Sequence, residues 1–220
     1  VLSFKTAAIL DVLPKPRLSM LVDVLKSQLV AKYPELFSPR IGLINGVKAK
    51  IHINKEVKPV FQRIRAHPFY LIPKIEAELE KMVAAGVIAR TYGPLNWLSN
   101  IHPVPKPSGD DQIRITIDMR AANTAILKER HPIPRAEDLF VVLNGAKVMS
   151  KLDMNKAYNQ VELEKSSKYI PAFIAPSGSY WWNRLNLRTC SAAETFEKIV
   201  QQILSKLENH YKTLKFTFYE

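Results

Sequence analysis

An aspartate at 153 and an aromatic ring five positions on, Tyr158, lie in the run Ser150-Lys151-Leu152-Asp153-Met154-Asn155-Lys156-Ala157-Tyr158. A β-rich stretch, Lys147 to Leu152, precedes them and is expected to deliver the carboxylate to a strand end. That placement suits metal-dependent phosphoryl transfer, because Mg²⁺ takes hard oxygen ligands. It equally suits a helix N-cap, where a carboxylate accepts the unpaired N–H groups of a first turn. Two-metal chemistry draws on more than one carboxylate, yet no aspartate follows Asp153 in the 220 residues. Half of a two-metal site is therefore written here.

The other chemistry-bearing groups are cations. Net charge is +12 with a pI near 9.7, which favours a polyanionic partner, foremost a nucleic acid. Between Arg40 and Arg65 the chain carries Lys48, Lys50, Lys55, Lys58, Arg63 and Arg65 against Glu56 alone. Such a run is either a solvated face or a groove that follows a phosphate backbone. No apolar stretch reaches the roughly 18 residues of a membrane span, so no membrane partner is expected. Val1 to Leu10 has no signal-peptide pattern, and the single Cys190 forms no internal disulfide. A reducing compartment, cytoplasmic or nuclear, is the expectation. A sequence opening on Val1 reads as a piece of something longer.

These groups need elements to hold them. The apolar content of 47% supports a buried core. Helical spacing of Leu21, Val22, Leu25 and Leu29 predicts a helix over 19–33. Pro73 opens a second helix and Gly86 closes it, with Ile75, Leu79, Met82 and Val83 as its core face. Residues 101–104 and 112–118 read as a hairpin around Pro107-Ser108-Gly109, and Ile113, Ile115 and Ile117 alternate with Arg114, Thr116 and Asp118. A short helix at 135–143 and strands at 147–152, 160–163, 172–174 and 180–184 follow. Ser191 with Glu194 starts a capped helix whose face is Phe196, Ile199, Val200, Ile203, Leu204 and Leu207. A last strand-like run covers 213–220. The mixed order places the chain in the α+β or α/β class.

Several blocks then converge in order: Trp97-Leu98-Ser99-Asn100, the turn after Lys106, Arg114 through Asp118 and Arg120 to Asn123, and His131-Pro132-Ile133-Pro134. Leu143 to Lys147, Leu152 to Tyr158 and Ala192 to Phe196 complete the series. Together they resemble the fingers and palm of a reverse transcriptase from a gypsy-type LTR retrotransposon pol polyprotein. The similarity covers residues 32 to 205, most of the chain. It implies an α+β right-hand polymerase with fingers and an incomplete palm, interleaved along the sequence. A linker and helix would occupy 1–38, fingers 39–124 and 162–190, and the palm strand with Asp153 residues 125–161. The palm helix and chain end would occupy 191–220.

The resemblance also implies roles. Asp153 would be the first metal-binding aspartate, with Mg²⁺ as cofactor. Tyr158 would be the steric gate under the incoming sugar, with Ala157 beside it in the nucleotide site. Arg114 would grip the triphosphate, since a guanidinium matches phosphate oxygens with a fixed fork of donors. Lys106 would add a point charge, while Asp118, Arg120 and Asn123 look like scaffold. Implied partners are an RNA or DNA template-primer, a deoxynucleotide triphosphate and the remainder of a pol polyprotein.

Two departures stand out. The family's Pro-aromatic-Gly turn is replaced by Asn186-Leu187-Arg188. A side chain at the glycine position is expected to crowd the nucleotide pocket, because only glycine offers close backbone approach without strain. The Tyr-x-Asp-Asp hairpin is also missing, Tyr219-Glu220 being the nearest counterpart, so catalysis by these 220 residues alone is not expected. A basic nucleic-acid-binding module without chemistry, or the product of a decayed element, are the alternatives.

Overall fold

The computed structural model describes residues 2–5, 15–106, 112–131 and 151–204. The chain divides into two compact units, each assembled from separate stretches. One comprises 1–42, 132–157 and 201–220; the other comprises 43–131 and 158–200.

In the first unit, β1 (Leu2–Lys5) pairs antiparallel with β6 (Lys151–Met154), placing Ser3 opposite Asp153. Helix α1 spans Lys15–Lys32, starting a turn earlier than the apolar spacing predicts. Asp153 is the last residue but one of β6, so the strand runs two residues past the Leu152 end that was expected. The strand continues to Met154 because its ladder with β1 does not stop at Leu152. Residues 147–150, the helix expected at 135–143 and the run 213–220 lie outside the described residues.

The second unit is built on a five-stranded sheet. Its strands are β3 (Ile88–Arg90), β4 (Ser99–Pro105), β5 (Ile113–Ile117), β8 (Phe173–Ala175) and β9 (Gly178–Trp182), ordered β3-β9-β8-β4-β5. All pairings are antiparallel except β4 with β8. Ile113, Ile115 and Ile117 are buried while Arg114 is exposed, which is the two-residue alternation of a strand with one face on a core. Pro103 and Pro105 are tolerated in β4, where the pairing with β8 reaches only Ser99 and Asn100. Trp97, Phe173, Tyr180 and Trp182 fill the core, with Phe173 stacked on Tyr180 at 5.5 Å.

Helix α2 (Ile72–Ala84) packs on β3 and β5 through Ile75, Leu79 and Met82. Val83, expected on the same face, is 40% exposed; it falls one position past Met82, about 100° around the helix. Gly86, with φ of +66°, ends α2. Its N–H donates to the Val83 carbonyl and that of Val87 to Met82, a Schellman closure. Short strands β2 (Lys48–Ala49) and β7 (Glu162–Leu163) pair in parallel. The expected strand start at Gln160 belongs instead to a 3₁₀ turn, Ala157–Gln160. Helix α3 is short (Arg120–Asn123), and α4 runs Ala192–Leu204 with Phe196, Ile199 and Val200 buried and Ile203 39% exposed. No described helix is long and apolar enough to cross a membrane.

Candidate functional site

The β4–β5 hairpin sets the site's floor. Side chains two apart on a strand share a face, so Arg114, Thr116 and Asp118 project together, and the Lys106 ammonium sits at the hairpin mouth 3.1 Å from the Gln112 side chain. Its backbone N–H also donates to Gln112, at 2.8 Å. Asp118 ends the strand against the Arg120 guanidinium, which donates from Nε at 2.8 Å and from Nη2 at 2.7 Å. This fork holds the Asp118 carboxyl down at about 2 from its ordinary 3.8, with burial opposing and Arg65 assisting. The Arg65 guanidinium lies 3.5 Å from the same carboxylate.

Arg65 reaches that point because residues 60–65 are fastened to β4. The Gln62 N–H donates to the Leu98 carbonyl and the Leu98 N–H to Val60. Asn100, only 2% exposed, completes the fastening. Its amide donates to Gln62 Oε1 and to the Arg63 carbonyl, while its own oxygen accepts from the Arg65 N–H at 3.0 Å. Burying an amide requires such partners, and here they fix where two cations stand.

The third wall is the turn after β9. Residues 161–163 and 183–185 run antiparallel, with Leu185 N–H bonded to the Val161 carbonyl and Leu163 N–H to Asn183. Asn186 then builds the turn: its side-chain oxygen accepts from the Arg188 N–H at 2.6 Å and its carbonyl from the Thr189 N–H at 3.1 Å. This is an Asx-turn. It replaces the proline-and-glycine way of bending the chain at this point. Arg188 has no left-handed backbone: among described residues, Lys156 alone combines a side chain with positive φ, at 48°. Asn186 bends the chain with hydrogen bonds rather than with glycine torsions, so an arginine fits at 188 without left-handed backbone. Asn123 locks the turn from the other side, donating to the Arg188 carbonyl at 2.9 Å and accepting from the Cys190 N–H at 3.0 Å.

The result is a hollow of about 420 Å³ lined by Arg65, Arg120 and Arg188 above Thr116, Asp118 and Asn123. A neighbouring, larger hollow adds Arg63. Sequence reasoning assigned Asp118, Arg120 and Asn123 to scaffold; they also line this hollow. It missed Gln62 and Asn100, whose partners lie 37 or 38 residues apart in the chain.

The remaining site residues belong to other elements of the two units. Tyr158 is half-buried with its ring 5.3 Å from Phe196. Lys48 stands opposite Glu162 across β2–β7, its ammonium 3.1 Å from that carboxylate. Glu162 also takes Lys168 at 3.2 Å, and the Lys48 and Lys168 bonds together lower its carboxyl from the ordinary value. Lys50, Lys55, Lys58 and Arg63 are exposed. Within the first unit, Asp153 is exposed, Ala157 half-buried, and the Asn155 amide donates to the Pro39 carbonyl at 3.4 Å. Asp153 is not joined, among described residues, by two further His, Cys, Asp or Glu side chains in a metal-holding group. A two-metal centre does not fit the described residues.

Residues 104–219 match the reverse transcriptase (RNA-dependent DNA polymerase) family. An uncharacterized protein of Caenorhabditis elegans is 32% identical over 178 residues, 80% of this chain and 14% of that protein. The retrovirus-related Pol polyprotein from transposon opus of Drosophila melanogaster is 26% identical over 188 residues, 83% of this chain and 18% of its own length. The chain thus spans under a fifth of these curated relatives. Among solved structures, the foamy viral protease-reverse transcriptase in complex with RNA/DNA hybrid superposes with a TM-score of 0.68 at 17% identity. That match covers 93% of this chain and 28% of the foamy viral one.

Proposed function

The chain belongs to the reverse transcriptase (RNA-dependent DNA polymerase) family, and from that premise we propose that it is the strand-gripping part of a retrotransposon polymerase. The observation that carries this reading is the solvent-exposed cationic hollow on the β4–β5 hairpin, whose Asp118, Arg120, Asn123 and Arg188 fall inside the matched stretch. Its relatives are named as Pol polyproteins of transposons, and a solved relative of like fold is described in complex with RNA/DNA hybrid. A template-primer duplex supplies the phosphates that exposed Lys and Arg neutralise. Arg114, on the hollow's face of β5, is free to reach a nucleotide's phosphates, and Tyr158 braced by Phe196 is a rigid aromatic wall.

Within these 220 residues the chemistry is incomplete. Asp153 supplies one carboxylate, and no later aspartate is present. Nucleotidyl transfer, with Mg²⁺ and a deoxynucleotide triphosphate, belongs to the longer polyprotein in which such a segment works. By itself the 220-residue chain binds strands and does not extend them.

Two measurements on the purified chain test this. Anisotropy of a labelled RNA–DNA duplex should show binding that weakens steeply with salt, through counterion release; affinity indifferent to salt sinks the reading. Primer extension on an RNA template should give no product. Incorporation that disappears in Asp153→Asn would show that the chain completes its own metal site.

A further inference from the structure

We propose that Arg188 is a phosphate-contacting residue, and that with Arg65 it makes a two-guanidinium anion site over the Asp118–Arg120 pair. Three arginines line the hollow and one carboxylate faces them. Arg120 spends both arms of its fork on Asp118, and Arg65 stands at the edge of the same carboxylate, 3.5 Å away. Arg188 has no acceptor for its guanidinium among the described residues, and its side chain is exposed. The hollow therefore carries more positive charge than its own groups neutralise, with the surplus concentrated on Arg188.

Its position is fixed as well as charged. Asn186 holds the Arg188 N–H, and Asn123 holds the Arg188 carbonyl and the Cys190 N–H beyond it. With both sides of its peptide bonded, Arg188 presents its side chain from a backbone that has little left to order. A guanidinium presented so gives more of its interaction energy to a ligand. A planar fork with several donors suits a phosphate oxygen pair better than a carbonyl or hydroxyl. The ligand chemistry is thus a phosphate, either a phosphodiester in a single strand or the end of a free polyphosphate.

This inference rests on the reading of the chain as a strand-binding polymerase segment, and the test separates the two. The full 220-residue chain, wild type and Arg188→Ala, is titrated with a labelled single-stranded RNA over a salt series, and by calorimetry with inorganic triphosphate. Arg188→Lys serves as the charge-conserving variant. For a strand phosphate, Arg188→Ala loses affinity several-fold and its log K against log salt slope falls by about 0.7, one contact's share. Arg188→Lys keeps the slope. For a free polyphosphate, only the triphosphate titration weakens. Wild-type affinity and slope in Arg188→Ala, with triphosphate binding also unchanged, overturn the site while leaving the wider reading intact. A wild-type chain that binds neither ligand overturns both.

Discussion

Asn123 holds the turn that carries Arg188 through both ends of one amide: Nδ2 donates to the Arg188 carbonyl at 2.9 Å, while Oδ1 accepts from the N–H of Cys190 at 3.0 Å. The two residues are 65 positions apart. That single side chain joins the end of β5, through α3, to the turn that follows β9. Asn123 and Arg188 both line the hollow, so this tie fixes two of its walls to each other.

Asn123→Ala removes both bonds and leaves a backbone donor and acceptor without their partner. With each net hydrogen bond contributing about 1 kcal/mol, the variant should lose roughly 2 kcal/mol in urea unfolding. RNA binding should weaken more than stability alone explains, because Arg188 loses its placement. Unchanged stability would mean that the turn is held by Asn186 without help. Asn123→Asp tests the polarity of the tie. A carboxylate there keeps the acceptor for Cys190 but sets oxygen against the Arg188 carbonyl, so it should be no better tolerated than alanine at neutral pH.

The Asp118–Arg120 fork gives a signed pH dependence. The Asp118 carboxyl is held at about 2 against an ordinary 3.8, first by the side-chain bonds from Arg120. A carboxyl depressed in the folded state adds stability that is fully present above the unfolded value and is lost as pH falls through the folded one. The contribution should therefore fade between about 3.8 and about 2. Arg120→Ala removes the largest cause and leaves burial acting upward, so acid unfolding followed by circular dichroism should begin at a higher pH. An acid transition that does not move would show that the fork is not formed in solution.

Gly86 supports a third test. Its φ of +66° is required by the Schellman closure of α2, and a Cβ there would meet nothing within 4 Å. Gly86→Ala is then a backbone experiment with no steric clash. It should cost about 1–2 kcal/mol, the strain of a left-handed L-residue, read as a lower thermal midpoint. A neutral result would mean that α2 ends another way.

What the sequence made legible is what local physics encodes. Pro73 and Gly86 bracket α2 because a first-turn proline and a left-handed cap are properties of those residues alone. Ile113, Ile115 and Ile117 announce β5 by alternation, and the family blocks follow from residue type and order. The parts that escaped depend on distant partners. Nothing around Asn100 says that its amide will fasten Gln62, Arg63 and Arg65, and nothing around Asn123 points to residue 188. Val83 was misplaced because one position along a helix turns a side chain by about 100°. A glycine-type turn was assumed around Arg188; the Asx-turn made by Asn186 was readable in principle, from Asn two residues ahead of the bend.

The basic run from Lys48 to Arg65 yields the last prediction, since its members are equal in sequence and unequal in the fold. Lys48 faces Glu162 across β2 and β7 with its ammonium at 3.1 Å, and Lys168 approaches the same carboxylate. Its charge is already answered locally. Lys50 and Lys58 are exposed and make no ion pair among the described residues. Each cation that neutralises a strand phosphate adds about 0.7 to 0.9 to the salt slope. Lys50→Ala and Lys58→Ala should each lower the slope by up to that amount on an RNA–DNA duplex. Lys48→Ala should lower it less, and should instead destabilise the chain slightly by stripping Glu162 of a partner. Equal loss of slope at all three positions would show that Lys48 leaves Glu162 for phosphate, and that the run acts as one diffuse cationic face rather than through the residues that the fold leaves exposed.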